Sequence, residues 1–550
     1  MPDAKSSLQA NLAYEPRPLG FGTSGRRGEV IHLSQLEIYV NVMGELEFLR
    51  ALPISEGGIA GGDEFYFAHD LRPSSTQFAV TDPVRGEICQ AVEMAVRDAG
   101  MKPVNLGAIP TPALTYFALS RGKGSIMVTG SHIPFNRNGY KLNTSTGELL
   151  KEQEAPIGSS VQAVRERIGS EDFAASRFNE FGMFKAGHRE VPPATDAAWK
   201  AYLERYLDFF GHSSLSGLRV LLYEHSAVGR DLLGELLTRL GVEVIPAGRS
   251  EEFVPIDTEN INAAHLGNIQ RLVDDRVDLH SPVSAVVSTD GDSDRPLLLA
   301  VEEGRVRFFP GDLLGMITAE YLGADAVVVP ISCNDAIDRG SLAEVLEPKT
   351  RIGSPYVIAG MNAARAKGRR RVCGWEANGG FLAGSDIERN GRVLKALATR
   401  DAVLPLLCVL FSAREQGRTL SELFARLPQR YSRAALLPEF PQALGKQMVR
   451  HFTPGASSDS GHIRAELESL IPADLSLGPI VDLDYTDGVR IGFHSGEVLH
   501  FRPSGNADEL RVYAVADTEE RAAVLASRCV ADPDGILRSM ARSARAAMVR

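Results

Sequence analysis

The sequence has few cysteines, and none of them form a recognisable site. Five occur in 550 residues, no two in a C-x-x-C arrangement. The spacing excludes a zinc ribbon or a disulfide framework and is typical of a protein kept in a reducing compartment. The five are Cys89, Cys333, Cys373, Cys408 and Cys529.

Long apolar runs and an excess of positive charge are also missing. The longest apolar run, "AVLPLLCVL" from Ala402, is about half of the roughly 20 residues that a membrane span needs. The first 18 residues contain no apolar signal core. The net charge of −11 argues against a nucleic-acid binder, which needs a concentrated basic face. We expect a cytoplasmic monomer or homodimer with no nucleic-acid or membrane partner.

Two common catalytic motifs are absent. No G-x-x-x-x-G-K-[ST] phosphate loop occurs, and no G-x-S-x-G serine elbow. "GFGTSGRRG" (residues 20–28) matches G-x-G-x-x-G, but two prolines precede it in place of a strand, so it does not predict dinucleotide binding. Its glycines and Arg27 suit a loop beside an anion.

Strand and helix patterns alternate along most of the chain. Residues 218–248 predict a β-α-β unit, in which "RVLLY" and "VEVI" flank a leucine-faced helix that ends at Gly241. Residues 85–100 predict a second helix. The last ~120 residues instead show short antiparallel strands joined by D-G and S-G turns.

Three apolar strands run directly into polar, glycine-containing loops, in "SIMVTGSH", "SAVVSTDGDSDR" and "RRVCGWEANGG". Open α/β sheets bind ligands beyond the carboxyl ends of their strands, where these loops lie. The sequence therefore predicts an α/β protein: three mixed-sheet α/β domains plus a C-terminal α+β domain around a central cleft. The predicted ranges are 1–190 (serine loop), 191–305 (metal loop), 306–430 (sugar loop) and 431–550 (phosphate-binding domain).

The loop "TDGDSDRP" is the strongest signal for a metal. Asp290, Asp292 and Asp294 alternate on a tight turn, and carboxylates this close repel unless a divalent ion neutralises them. An EF-hand is excluded because its sixth and twelfth places hold Arg295 and Val301. Three acidic ligands leave positions open, as Mg²⁺ requires when it also holds a phosphate oxygen, and Arg295 would neutralise further phosphate charge. A solvated acidic turn is the alternative.

Two further loops have the side chains of a sugar-phosphate site. "RPSGNADELR" offers hydroxyl, amide and backbone donors between two arginines, although Pro-Ser-Gly turns are common without a ligand. "GWEANGG" places Glu376 and Asn378 where they can hold neighbouring sugar hydroxyls; a structural turn explains them equally well. The members of the first loop are Arg502, Ser504, Gly505, Asn506 and Arg511.

Ser131 follows the strand "SIMV" at once. A serine at this position is often only a turn or helix-capping residue. With a metal loop, a phosphate cradle and Lys141 in the same chain, its hydroxyl is suited to accept and return a phosphoryl group.

Taken in order, these loops resemble those of the α-D-phosphohexomutase superfamily, the phosphomannomutases and phosphoglucomutases. The resemblance begins at "FGTSGRRG" and "HDLRPSS", passes through "TGSHIPFNRNGYK", "DGDSDR" and "EANGG", and ends at "RPSGNADELR". It implies a phosphoserine enzyme that interconverts hexose 1-phosphate and hexose 6-phosphate, of mannose or glucose, through a bound hexose 1,6-bisphosphate.

The resemblance also implies roles for the loop residues. Ser131 would carry the phosphate and, with the three aspartates, ligate Mg²⁺. Lys141, Arg27, His132 and Arg295 would form the rest of the catalytic set, with Lys141 a candidate general acid or base. Glu376 and Asn378 would hold sugar hydroxyls, and the "RPSGNADELR" residues the non-reacting phosphate.

Four positions depart from the family's usual residues. Ile133 replaces an asparagine after the serine loop's histidine, Asn378 and Gly380 replace a serine and a histidine, and Asn506 replaces a threonine. The missing histidine removes one proton-transfer candidate. Three alternatives stay open: a mutase for an amino sugar, an aspartyl phosphotransferase using Asp290, and a sugar-phosphate binding protein without turnover.

Overall fold

The computed structural model describes residues 6–22, 25–79, 84–212, 214–259, 261–276, 281–455, 460–504 and 508–549. Four sheets of four or five strands follow one another along the chain, each covered by helices. This is the predicted α/β architecture, and the fold-class prediction is confirmed. No helix in the described ranges is long and apolar enough to cross a bilayer.

The first sheet has the order β1-β7-β6-β2-β5. Strand β2 pairs in parallel with both β5 and β6, whereas β7 is antiparallel to both β6 and β1. The elements are β1 (Arg26–Glu29), α1 (Gln35–Ala51), β2 (Glu64–His69), α2 (Pro73–Thr76), β3 (Phe78–Ala79), β4 (Arg85–Gly86), α3 (Ile88–Asp98), β5 (Lys102–Ala108), α4 (Thr111–Leu119), β6 (Ser125–Val128), β7 (Arg137–Asn143) and α5 (Glu154–Gly169). The helix predicted from Arg85 therefore begins at Ile88, because the short strand β4 occupies its first residues.

The second sheet, β12-β11-β10-β8-β9, contains the predicted β-α-β unit. Strand β8 pairs in parallel with β9 and β10, and β11 and β12 continue antiparallel. The elements are α6 (Ala197–Phe210), β8 (Arg219–Tyr223), α7 (Arg230–Arg239), β9 (Glu243–Ala247), α8 (Ala263–Arg276), β10 (Ala285–Thr289), β11 (Pro296–Glu302) and β12 (Arg305–Phe309).

The third sheet has the order β13-β14-β15-β18, with β13 and β14 parallel and the rest antiparallel. The elements of this part of the chain are α9 (Gly311–Leu322), β13 (Ala326–Val328), α10 (Ser354–Ala366), β14 (Val372–Trp375), β15 (Phe381–Ala383), β16 (Ile387–Arg389), β17 (Arg392–Leu394), β18 (Leu397–Asp401), α11 (Val403–Gln416) and α12 (Leu420–Phe424). Strands β16 and β17 pair with each other in a separate two-stranded sheet.

The fourth sheet is entirely antiparallel, in the order β19-β23-β22-β21-β20. Its elements are β19 (Tyr431–Leu437), α13 (Gln442–His451), α14 (Ser460–Leu470), β20 (Ile480–Asp484), β21 (Val489–Phe493), β22 (Val498–Pro503), β23 (Leu510–Ala516), α15 (Glu519–Val530) and α16 (Ile536–Val549).

The cores show which sheets are packed most closely together. One apolar cluster runs from Tyr66 of the first sheet through the second and third sheets to Leu427. The fourth sheet has a core of its own, between Leu437 and Ala544. The four predicted domain ranges stay a prediction. Strand β12 pairs with β11, so the second sheet extends to Phe309, past the predicted break at 305.

The first three sheets share one feature that positions the site. In each, a strand with a parallel neighbour turns back into an antiparallel partner: β6 into β7, β10 into β11, and β14 into β15. The serine, metal and sugar loops are these three connections. They occupy equivalent places at the carboxyl ends of their strands, which is why the fold gathers them.

Candidate active site

The serine loop is fixed by Arg72, which lies directly after β2. Its buried guanidinium donates to the carbonyl oxygens of Ser131 (2.8 Å), Ile133 (2.6 Å), Pro134 (2.8 Å) and Arg137 (3.0 Å). Its Nε donates to Asp70 at 3.2 Å. Every donor of the fork is used, so this arginine sets the shape of the loop.

Ser131 has a strained backbone. Its φ of +56° lies in the left-handed region, which is uncommon for a residue with a Cβ. Its N–H donates to the Thr129 hydroxyl at 2.7 Å, and the Thr129 hydroxyl donates to Asp70 at 2.7 Å. In this backbone conformation the side chain points toward the metal loop, where the Ser131 hydroxyl donates to Asp290 Oδ2 at 2.8 Å.

The three aspartates of the metal loop converge as predicted. Asp290, Asp292 and Asp294 are all buried, and one oxygen from each lies within 4.8 Å of the others. The Lys141 ammonium, on β7, donates to Asp292 Oδ2 and Asp294 Oδ2, both at 2.6 Å. Arg295 Nε lies 3.6 Å from Asp294 Oδ1.

The pKa of Asp290 is shifted in the opposite direction from those of Asp292 and Asp294. Burial, together with the charges of Asp292 and Asp294, raises the pKa of Asp290 well above its ordinary value. Burial acts in the same direction on the other two, but Lys141 lowers the pKa of Asp292 and Arg400 lowers that of Asp294 below their ordinary values. Asp290 is thus the carboxyl that two ionised neighbours repel most.

This donor set fits a divalent cation. Asp292 Oδ1 and Asp294 Oδ1 are buried and have no hydrogen-bond partner among the described residues. Buried carboxylate oxygens without partners are costly unless an ion or water satisfies them. Hard oxygen ligands in an incomplete set are those that Mg²⁺ prefers.

The charges of three arginines act on His132, the residue after Ser131. Burial and the charges of Arg295 and Arg27 lower the pKa of His132 well below its ordinary value, and Arg511 of the fourth sheet acts in the same direction. Burial also lowers the pKa of Arg27 to about 10, although Asp292 opposes this shift. The serine loop therefore faces arginines from the first, second and fourth sheets.

The fourth-sheet loop presents two arginines side by side. Arg502 on β22 and Arg511 on β23 are direct cross-strand partners. Like charges directly opposite on a sheet destabilise it unless an anion lies between them. Arg502 Nε is 3.5 Å from Asp487 and Arg511 Nη2 is 3.5 Å from Glu509, so the acidic contact of each arginine among the described residues is long. Ser504 is buried beside them, whereas Gly505 and Asn506 lie outside the described residues.

The sugar loop is held tightly from two sides. Asn378 Oδ1 accepts the Gly380 N–H at 3.0 Å, and the Asn378 carbonyl oxygen accepts the Thr258 hydroxyl at 3.1 Å. Glu376 is buried, and its Oε2 accepts Nη1 of Arg400 at 3.0 Å. Burial by itself would lower the pKa of Arg400, but Asp294 and Glu376 raise it well above its ordinary value.

Comparison with known proteins agrees with this geometry. The family descriptions "Phosphoglucomutase/phosphomannomutase, alpha/beta/alpha domain I" and "domain III" match residues 18–167 and 310–431. A phosphomannomutase of Sinorhizobium fredii is 38% identical over 504 residues, which are 91% of this chain and 96% of the relative. The chain belongs to the phosphoglucomutase/phosphomannomutase family. The resemblance inferred from the motifs is confirmed.

Solved structures show the same fold. A phosphoglucomutase/phosphomannomutase family protein from Burkholderia thailandensis aligns with a TM-score of 0.63 at 17% identity, covering 95% of this chain and 97% of its own. The N-acetylphosphoglucosamine mutase of Aspergillus fumigatus, solved with GlcNAc-6P and magnesium, aligns with a TM-score of 0.53 at 16% identity, covering 99% of each chain. Members of this family are mutases that transfer phosphate, so the chain is an enzyme of that class.

Four residues of this mutase site were not assigned from the sequence. Arg72 stands in the motif "HDLRPSS", and Arg400 stands in "LATRDAV" at the end of β18. Thr111, the first residue of α4, donates its hydroxyl to Asp292 Oδ2 at 2.6 Å. Glu259 carries a pKa raised to about 7 by burial and by Asp257, with Arg511 opposing. The available signal for Arg72 was its place in that quoted motif, whereas nothing in the strand "LATRD" sets Arg400 apart from an ordinary surface arginine.

Proposed function

We propose that the chain interconverts hexose 1-phosphates and hexose 6-phosphates through a phosphoserine at Ser131 and a bound hexose 1,6-bisphosphate. One observation carries the proposal: the Ser131 hydroxyl lies 2.8 Å from Asp290 within a buried triad of carboxylates. The charge of Arg511 contributes to the lowered pKa of His132, which supports the proposal, because it means that the proposed clamp lies within electrostatic range of the serine loop. The relative's name favours mannose phosphates, with glucose phosphates as the second substrate.

The chemistry is two phosphoryl transfers in opposite directions. A sugar hydroxyl oxygen attacks the phosphorus of phospho-Ser131, and the new P–O bond forms as the bond to Ser131 Oγ breaks. The hydroxyl proton passes to a base, a role that Lys141 would fill as a free amine. The bisphosphate then turns by half a turn. Ser131 Oγ attacks the other phosphate, that P–O bond breaks, and the proton returns to the released hydroxyl.

The chain's own residues divide the remaining work. Arg27, His132 and Arg295 lie beside the serine, and the two arginines offset the charge of the transferring group. Glu376 and Asn378 hold sugar hydroxyls. The non-reacting phosphate is held by Arg502, Ser504 and Arg511, together with Gly505 and Asn506.

Mg²⁺ is the proposed cofactor. Asp290, Asp292, Asp294 and the seryl phosphate would hold it, and when bound it supplies positive charge to the transferring phosphoryl group. The carboxylate oxygens without partners support this assignment.

The test is the Ser131→Ala variant, with Ser159→Ala in the exposed part of α5 as the control. Ser131→Ala is expected to lose essentially all mutase turnover in a coupled assay with mannose 1-phosphate and glucose 1-phosphate, whereas the control keeps it. Near-normal turnover by Ser131→Ala would end the proposal.

Mass spectrometry and a substrate panel separate the alternatives. Phosphate on Ser131 supports the mutase, whereas phosphate on Asp290 identifies an aspartyl phosphotransferase. A higher kcat/KM with hexosamine 1-phosphates than with hexose 1-phosphates identifies an amino-sugar mutase. Binding of glucose 1,6-bisphosphate by the wild type without interconversion identifies a binding protein.

A further inference from the structure

One buried arginine joins two of the active-site loops. Arg400, the penultimate residue of β18, is 3% exposed. Its Nε and Nη2 donate to Asp294 Oδ2 at 3.1 and 2.9 Å, and its Nη1 donates to Glu376 Oε2 at 3.0 Å. A single rigid guanidinium thus spans the metal loop of the second sheet and the sugar loop of the third.

The same arginine fills the space next to Gly380. A Cβ built on Gly380 would lie 2.6 Å from Cδ, 2.7 Å from Cγ and 2.9 Å from Cβ of Arg400. These atoms belong to the part of the side chain nearest the backbone, which has little freedom to move away. Gly380 is not among the glycines with positive φ, so space rather than backbone conformation excludes a side chain there.

The two positions are therefore coupled. At position 380 this chain has a glycine where the family resemblance predicts a histidine. In this chain the arginine stem enters the volume that a side chain of residue 380 would need, and it brings a permanent positive charge to Glu376 and Asp294.

The geometry requires arginine rather than another cation. Its planar fork satisfies two carboxylates in different directions at once, whereas a lysine ammonium on a flexible stem acts as a point charge. Because Glu376 is buried, removal of its cation would leave a carboxylate without compensation.

We propose that Arg400 is a positioning residue for sugar recognition, an inference that rests on the proposed function. It holds the Glu376 carboxylate oriented toward the sugar hydroxyls through the 3.0 Å hydrogen bond from its Nη1. It also occupies Oδ2 of Asp294, so that Oδ1, which accepts no hydrogen bond from the described residues and lies 3.6 Å from Arg295 Nε, stays available to a cation. This arrangement requires glycine at position 380, because a Cβ there would overlap the stem of Arg400.

The first test compares Arg400→Met and Arg400→Lys with wild type. The control is Arg369→Met, an exposed arginine whose acidic neighbour Glu347 lies 3.8 Å away. Loss of a charge-assisted hydrogen bond predicts a fall of about 10- to 100-fold in kcat/KM for Arg400→Met, mostly as a higher KM for the hexose phosphate. Arg400→Lys is expected to recover part of the loss.

Inhibition by inorganic phosphate separates positioning from general damage. Phosphate is expected to bind the proposed clamp at Arg502 and Arg511 on the fourth sheet, whereas the carboxylates that Arg400 holds belong to the second and third sheets. Its inhibition constant is therefore expected to stay within about twofold in Arg400→Met. An equal weakening of phosphate and hexose phosphate would overturn the positioning role. A kcat/KM equal to that of wild type would overturn it as well.

The second test is a double-mutant cycle read by thermal unfolding, which does not depend on turnover. Gly380→Ala is expected to lower the melting temperature more in wild type than in the Arg400→Ala background, because the truncation removes the two shortest contacts, with Cδ and Cγ, and leaves only the one with Cβ. Equal shifts in both backgrounds would refute the coupling. Failure of the wild type itself to interconvert hexose phosphates would instead refute the proposed function, and it would leave this cycle unaffected.

Discussion

The contact between the metal and serine loops depends on the absence of one side chain. A Cβ built on Gly291 would lie 2.7 Å from the carbonyl oxygen of Ser131 and 2.9 Å from the ring of Phe253. Neither neighbour is free to move, because the same carbonyl oxygen accepts from Arg72 and the Phe253 ring stacks 3.8 Å below the Arg72 guanidinium. Gly291→Ala is therefore expected to separate the two loops.

The size of the effect follows from the overlap. The methyl group would be about 0.7 Å closer to the Ser131 oxygen than the 3.4 Å at which ordinary contact begins. Overpacking of this kind costs typically 1–3 kcal/mol of stability. A displacement of about 1 Å between a nucleophile and its electrostatic partners can lower the rate about 100-fold. We expect a fall of 10- to 100-fold in kcat with a protein that still folds.

The assay pairs mutase turnover with thermal unfolding. The matched control is Gly158→Ala in α5, where a Cβ would meet nothing within 4 Å. This control is expected to keep full activity and to gain up to about 1 kcal/mol of stability from helix propensity. If Gly291→Ala retained wild-type kcat, the two loops would not need their close contact, and the reasoning would be wrong.

Three further predictions follow from the same contacts. First, the charge of Arg511 acts on Glu259, whose pKa is raised to about 7 by burial and by Asp257, so Glu259 is neutral below that pH and anionic above it. Since Arg511 is proposed to hold the phosphate, KM for the hexose phosphate is expected to rise between about pH 6 and 8.5, as the anionic form competes for this arginine. Glu259→Gln is expected to flatten this rise relative to wild type, and an unchanged slope would contradict the prediction. Second, Arg72→Met leaves the Asp70 carboxylate buried without its cation and is expected to lower the free energy of unfolding by about 3–5 kcal/mol in urea titrations; a loss below 1 kcal/mol would show that the serine loop is held by other contacts. Third, chelation of divalent cations is expected to stop turnover and to lower the melting temperature by a few degrees, and Mg²⁺ is expected to restore both. Asp292→Asn should remove the Mg²⁺-dependent shift in melting temperature. A shift of wild-type size in that variant would exclude the triad as the cation site.

The local signals in the sequence were strong where chemistry and backbone coincide. An apolar strand followed by alternating aspartates predicted both a turn and a cation site, and the structure places those carboxylates together. The antiparallel C-terminal sheet was likewise readable from its D-G and S-G turns. The helix predicted from Arg85 began three residues later, because the two-residue strand β4 has no periodicity of its own.

The sequence alone determined the residue types of the site, their order along the chain and the kind of sheet that carries each loop, because these depend on neighbouring residues. Only the tertiary structure decided which side chains from distant loops meet. Arg400 contacts Asp294, 106 residues away, and Thr111 contacts Asp292, 181 residues away. The exclusion of a side chain at Gly380 depends on the stem of Arg400, which lies on another strand. Such contacts are set by how whole sheets pack, and no local pattern encodes the packing of a residue against one a hundred positions away.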